Sequence, residues 1–250
     1  MSELASKNLG FVPNASMGTF EKRAKFHIKE LLNELKAYAE VYNLNYDFIE
    51  KHGYIAGGCF TSILNEEKIN DFDFYFDVPE ATDILQSLTR KNYYNHHISE
   101  NALTVGTING RAQFITFSKG NIQNIVDRFD FRHTQIYYHI ASDTIYYREN
   151  AYNCAQSKAL VVNSKCSYPL NALQRVTKFC ARGFTMESSE YVKLAYLITH
   201  VDFSKVANVV DQMRGMYGKK AFIQYDTLEN FFKEVHTEKF SDKVKDIIDG

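Results

Sequence analysis

The 250-residue chain has no tryptophan, three prolines and four cysteines. Cys59, Cys154, Cys166 and Cys180 are widely spaced, with no Cys-x-x-Cys and no paired histidines beside them. That excludes a zinc ribbon or a disulfide framework and leaves reduced, mostly buried thiols. No stretch approaches the roughly 18 consecutive apolar residues of a transmembrane helix. Met1 to Phe20 also lacks the apolar centre of a signal peptide. A cytoplasmic protein that does not enter a membrane is therefore expected. An excess of one charge is missing too, since 29 Lys and Arg face 30 Asp and Glu, a formal net charge of −1. Bulk electrostatics supplies no pull toward nucleic acid, so any polynucleotide contact must come from a local patch. There is no internal repeat and no low-complexity tract.

Aromatic residues are plentiful: 19 Phe and 17 Tyr exceed what a core of this size needs, leaving some for base stacking. The length suffices for one large domain or two small ones. Residues 1–18, with Gly10, Pro13 and Gly18, read as a loosely ordered lead. From Phe20 to Tyr42, apolar residues at Ile28, Leu31, Leu32, Leu35, Tyr38 and Ala39 recur at helical spacing and predict an amphipathic helix. Pro79 is placed to open another helix, with Ile84, Leu85 and Leu88 inside. Leu103, Val105 and Thr107 alternate, and Asn109-Gly110 signals a type I′ turn, so 102–117 reads as a hairpin. Beyond about Ala151 the pattern becomes helical, near 168–182, 187–200, 203–216 and 226–248. The expected organisation is a lead over 1–18, a mixed α/β head over 19–150 and a helical region over 151–250.

Chemistry concentrates between Tyr54 and Phe76. An apolar lead, Tyr54-Ile55-Ala56, enters the pair Gly57-Gly58, a short helical stretch follows, and then Asp71-Phe72-Asp73-Phe74-Tyr75-Phe76. On a strand the side chains alternate, so Asp71, Asp73 and Tyr75 share one face while three phenylalanines bury on the other. Two neighbouring carboxylates repel unless a cation sits between them, and a hard oxygen-seeking ion such as Mg²⁺ suits the pair. Free amides after a glycine pair attract phosphate. Asp-x-Asp alone is common on solvated strands and Gly-Gly alone is usually a turn. Their combination in this order carries the signal.

These residues resemble the polymerase-β-like nucleotidyltransferases, most closely the head and neck of class II CCA-adding enzymes and bacterial poly(A) polymerases. The interval from Gly57 to Asp71 matches that family's signature. Gly106-Thr107 looks like the opening of its next strand, and Arg128-Phe129-Asp130-Phe131 is similar to its Arg-Arg-Asp-Phe element. Leu173-Gln174-Arg175-Val176-Thr177-Lys178-Phe179-Cys180-Ala181-Arg182-Gly183-Phe184 resembles its neck helix. The likeness spans roughly 53–184. It implies an α+β head, a mixed β-sheet flanked by helices, followed by a small all-helical neck-like domain.

The activity implied is transfer of a nucleotidyl group from an NTP to an acceptor hydroxyl, with an RNA 3′ end or tRNA as the leading partner and a protein hydroxyl or a small molecule as the alternatives. Asp71 and Asp73 would be catalytic metal ligands, bridging two Mg²⁺ (or Mn²⁺) ions about 3.5–4 Å apart. Gly57, Gly58, Thr61, Ser62, Arg128, Asp130, Asn171, Arg175 and Lys178 would bind the nucleotide. The departures are informative. Thr61-Ser62 replaces Arg-Asp, Phe129 replaces the second arginine, and neutral Gln113 aligns with a third carboxylate that Asp127 or Asp130 would have to replace. The base-reading Glu-Asp-Pro-Leu-Arg becomes Ser167-Tyr168-Pro169-Leu170-Asn171, which argues against C-C-A addition. Drifted motifs and a composition rich in Asn, Lys, Ile and Tyr look like a divergent, phage-borne branch. The rival reading is a nucleotide- or RNA-binding protein that kept the fold without catalysis.

Other features carry weaker signals. Consecutive strand residues His96 and His97 face opposite ways, so a shared metal is not expected. Arg132-His133 is within reach of a phosphate but fits a surface position equally well. Arg175, Lys178 and Arg182 share one helix face, either solvated or turned to the nucleotide.

Overall fold

The computed structural model describes residues 15–42, 45–78, 96–98, 102–203 and 205–214. The helices expected from Pro79 and over 226–248, Lys219-Lys220 and most of the 1–18 lead lie outside the described residues.

Helix α1 (Ala15–Tyr42) begins before the expected Phe20. Its inward stripe, Phe20, Ala24, Ile28, Leu31 and Leu35, is fully buried, as its 3.6-residue period demands. A short α2 (Tyr46–His52) leads into β1 (Gly53–Ala56), then α3 (Gly58–Leu64) and β2 (Asp71–Phe76). Strands β3 (His96–Ile98), β4 (Ala102–Thr107) and β5 (Gly110–Lys119) follow, and α4 (Ile122–Val126) and a 3₁₀ turn (Arg132–Thr134) precede β6 (Ile136–His139) and β7 (Thr144–Tyr147). Four helices close the described chain: α5 (Ala151–Gln156), α6 (Pro169–Cys180), α7 (Ser188–Ile198) and α8 (Val206–Arg214). Pro169 at the start of α6 is suited to a helical first turn, whose amide has no intrahelical partner.

One seven-stranded mixed sheet runs β3-β4-β5-β2-β1-β6-β7. Among the described strands only β2 and β5 pair in parallel; the other neighbours are antiparallel. The class is α+β, as expected. The hairpin differs in detail: Thr107 pairs with Gly110, which makes Ile108-Asn109 the loop. Neither loop residue takes positive φ, so the turn is not type I′, which needs it at both positions. The Ile108 amide instead donates to Glu34 Oε2 of α1 at 2.8 Å, anchoring the turn from outside the hairpin.

The strand alternation is realised. Phe72, Phe74 and Phe76 sit with α1 in the largest apolar cluster, while Tyr75 joins Ala56, Ile115, Val126 and Phe129 across the sheet. Each buried phenylalanine contributes roughly 1.5–3 kcal/mol, so the strand's facing is firmly set. A third cluster joins Phe131 to Phe179, Phe184 and Leu194 of the helical region. Ala151 and Tyr152 of α5 conversely pack into the first cluster with α1 and the sheet. The α/β and helical regions thus exchange side chains across their junction.

Candidate active site

A cleft of ≈ 350 Å³ lies between the sheet and α6, bounded by the Gly57 turn, β2, the 128–130 turn and α6. Its floor follows from the glycine that succeeds β1. Gly57 takes φ 95° and ψ −140°, a region close to glycine-only. A Cβ there would lie 3.8 Å from Asp73 Oδ2 and 3.7 Å from the Phe129 ring. Gly58 is in open space by the same measure and has no positive φ. The conformational demand therefore falls on Gly57, although both glycines line the cleft.

The strand wall carries Asp71 and Asp73, with Gln113 of β5 directly beside Asp73 in the parallel register. Asp71 Oδ1 accepts from Arg111 Nε at 2.7 Å. Cys59 also borders the cleft; burial and the Asp73 charge push its thiol up, so it stays protonated.

The opposite wall is cationic. Arg128 lines it, with Arg175 and Lys178 of α6 and Arg182 just past that helix's end; Lys178 is at the same time exposed to solvent. Arg175 pairs with the buried Asp130 carboxylate at 2.9–3.0 Å and lies over the Phe179 ring at 5.4 Å. Arg182 pairs with Glu67 and donates to Ser62 Oγ at 3.1 Å. Burial works to raise the Glu67 pKa, but hydrogen bonds from Lys158 and Arg182 outweigh it and hold the carboxyl below its ordinary value. Arg128 is exposed and makes no ion pair among the described residues.

Most expected binding residues converge here; Thr61 does not. It is fully buried beneath the cleft and donates its hydroxyl to the His133 carbonyl at 3.0 Å. Ser62 borders the cleft but its oxygen is taken by Arg182. Asn171 lines the cleft while its Nδ2 donates to the Met213 carbonyl at 2.9 Å. Neither candidate third carboxylate is open: Asp127 is held by Arg148 and Lys165, and Asp130 by Arg175. His133 is not at the surface. It is fully buried against Phe131, Phe179 and Phe184, and neither ring nitrogen has a hydrogen-bond partner. Burial, with Arg175 and Arg182 adding to it, pushes its pKa well below the histidine norm.

Two supporting residues escaped sequence reasoning. Asn163 Nδ2 donates to the carbonyls of Asp127 (2.6 Å) and Phe129 (2.7 Å), and its amide donates to the Asp130 carbonyl at 2.8 Å. It thereby clamps the turn that presents Arg128. Glu67, just past α3, ties that segment to the turn after α6 through Arg182 and to the turn after α5 through Lys158. Only long-range contacts reveal either role; an isolated Asn or Glu carries no local pattern.

The donor set fits a hard divalent cation: two carboxylates and a carboxamide, with the nearby thiol protonated. Among the described residues, no group of three or more His, Cys, Asp or Glu forms a metal cluster. A cation held there would take a carboxylate pair from the protein and its other coordination positions from water and substrate phosphate. Nor is any helix among the described residues long and apolar enough to cross a membrane.

Residues 22–158, more than half of the chain, match the family described as "Gad2: Gabija anti-defense 2 family protein". The chain belongs to the Gabija anti-defense 2 family. A curated relative, Gabija anti-defense 2 of Bacillus phage SPbetaL7, is 26% identical over 201 residues, covering 78% of this chain and 48% of the relative. The chain thus spans about half the length of that relative. A phage relative agrees with the composition. Among solved structures, a tRNA-processing enzyme in an apo form aligns at 14% identity and TM-score 0.48, over 85% of this chain and 57% of its own. A Thermotoga maritima CCA-adding enzyme complexed with tRNA aligns at 14% identity and TM-score 0.45, over 83% of this chain and 49% of its own. Likenesses at that level decide nothing about chemistry. In this Gabija anti-defense 2 member the glycine turn, short helix and carboxylate strand follow one another in the order read from the sequence.

Proposed function

We propose that the chain is a divalent-cation-dependent nucleotidyltransferase that serves phage counter-defence against Gabija. It would pass a nucleotidyl group from an NTP to an acceptor hydroxyl, an RNA 3′ end being the leading acceptor. The observation that carries this reading is the cleft itself, lined by two carboxylates of one strand and by four cations from the 128–130 turn, α6 and the turn after it. Asp71 and Asp73 would hold Mg²⁺ or Mn²⁺. When bound, that ion supplies Lewis-acid polarisation of the acceptor oxygen and countercharge for the departing pyrophosphate. Arg128 and Lys178 take phosphate oxygens, Arg128 having no competing ion pair among the described residues. Arg175, fixed by Asp130, closes the side of the cleft.

Base choice falls to Tyr168 and Asn171, neutral groups that discriminate less sharply than a charged pair. Ordered C-C-A addition is accordingly not the expected product. A second reading, a protein that binds nucleotide or RNA without catalysis, is favoured by neutral Gln113 beside Asp73 and by the Arg111 contact on Asp71.

Purified protein incubated with each radiolabelled NTP, Mg²⁺ or Mn²⁺ and total RNA separates the two. Incorporation that disappears in Asp73→Asn is expected. NTP binding with no incorporation would select the second reading. An Asp73→Asn phage gene that still fully protects phage in Gabija-bearing cells would sever nucleotidyl transfer from counter-defence.

A further inference from the structure

Asp71 already has a cationic partner at the mouth of the cleft. Strands β2 and β5 run parallel with Asp71 opposite Arg111 and Asp73 opposite Gln113, so the four side chains occupy alternate rungs of one ladder and share a face of the sheet. The Arg111–Asp71 contact at 2.7 Å is a product of that register. Arg111 is nevertheless 56% exposed and Asp71 29%. Ion pairs this open shift equilibria by no more than about fivefold, because water competes for both partners. Arg111 also has another place to go: it lines a second groove with Lys68 and Asn109, and Asn70 borders both groove and cleft.

We infer that Arg111 is a displaceable counter-ion. It neutralises Asp71 while the carboxylate pair lacks a divalent cation and releases it when one binds, its guanidinium then facing the second groove. The inference rests on the reading of Asp71 and Asp73 as the metal pair. Physically, two carboxylates on alternate residues of one strand repel, and one attached cation relieves that repulsion. Arg111 supplies a single charge on a flexible stem; a divalent ion brings two to both carboxylates at once. The two occupancies compete for Asp71, so Arg111 sets the cation concentration at which the site fills. It acts through Asp71 and is a positioning residue.

Mn²⁺ binding to the full chain, followed by the electron paramagnetic resonance of the free ion at low ionic strength, tests this. Arg111→Ala should bind Mn²⁺ two- to fivefold more tightly than wild type, and Arg111→Lys, which keeps the charge, should fall between them. The gain should shrink as added salt shortens the screening length. Unchanged or weaker affinity in Arg111→Ala, with its thermal midpoint intact, overturns the inference. Asp73→Asn separates the two claims. Its loss of Mn²⁺ binding supports the metal pair whatever Arg111 does, whereas binding equal to wild type sinks the metal pair and the counter-ion together.

Discussion

On the strand wall of the cleft, the positions of Asp71 and Asp73 follow from register, because three buried phenylalanines on the reverse face of β2 leave the carboxylates no other direction. On the helix wall, two of the cations depend on partners brought from elsewhere: Arg175 on Asp130, and Arg182 on Glu67 and Ser62. One wall is held by backbone and core, the other by side-chain pairing. Loss of function at the strand wall should therefore come without loss of fold. At the helix wall the two are entangled, with Arg128 as the exception.

The strongest test of that asymmetry is Asp73→Asn. Any nucleotidyl transfer should fall at least a thousandfold, about 4 kcal/mol of transition-state stabilisation, with no drop in thermal midpoint. A fall in midpoint matching the activity loss would show that the carboxylate is structural. Next in size is Gly57→Ala, which forces a side chain into φ 95°. It should lower unfolding free energy by up to about 3 kcal/mol, while Gly58→Ala, with open space at its Cβ, should change little. Urea denaturation of the pair measures the difference, and equal stability would misplace the strain.

Arg175→Ala leaves the buried Asp130 carboxylate unpaired and should destabilise the fold by about 2 kcal/mol. Arg128→Ala should leave stability unchanged and weaken NTP binding several-fold by titration calorimetry. If both variants lose only affinity, the helix wall is not structural after all. The smallest effect is acid sensitivity. Folding holds His133 neutral, with its pKa below the unfolded value. Protons therefore bind the unfolded chain first, and stability should decline as pH falls through the ordinary histidine value of about 6.5. The slope from this one group is at most about 1.4 kcal/mol per pH unit. His133→Leu should flatten that part of the pH–stability curve; an unchanged slope would assign the dependence to other groups.

What the sequence disclosed divides along the same line. Local periodicity exposed α1, the alternation of β2 and the helices from α6 to α8, because each is written in the spacing of its apolar residues. The carboxylate pair and the glycine turn were legible for the same reason. Thr61 misled because a hydroxyl after a glycine pair has no local mark saying whether it faces the cleft or the His133 carbonyl. His133 misled in the opposite direction, since a polar residue beside Arg132 gives no hint that Phe179 and Phe184 will enclose it. The clamp by Asn163 on Asp127 and Phe129 bridges 34–36 positions, a separation at which pattern gives way to topology.

The exchange of side chains across the junction, Phe131 and His133 seated among the helices while Ala151 and Tyr152 sit under the sheet, bears on modular engineering. A fragment cut at residue 150 would uncover an aromatic surface on one piece and a hole in the other, so neither half is a ready-made cassette. Grafting this unit onto another protein, or replacing its helices with those of a relative, requires carrying the 131–134 turn and α5 along with their hosts.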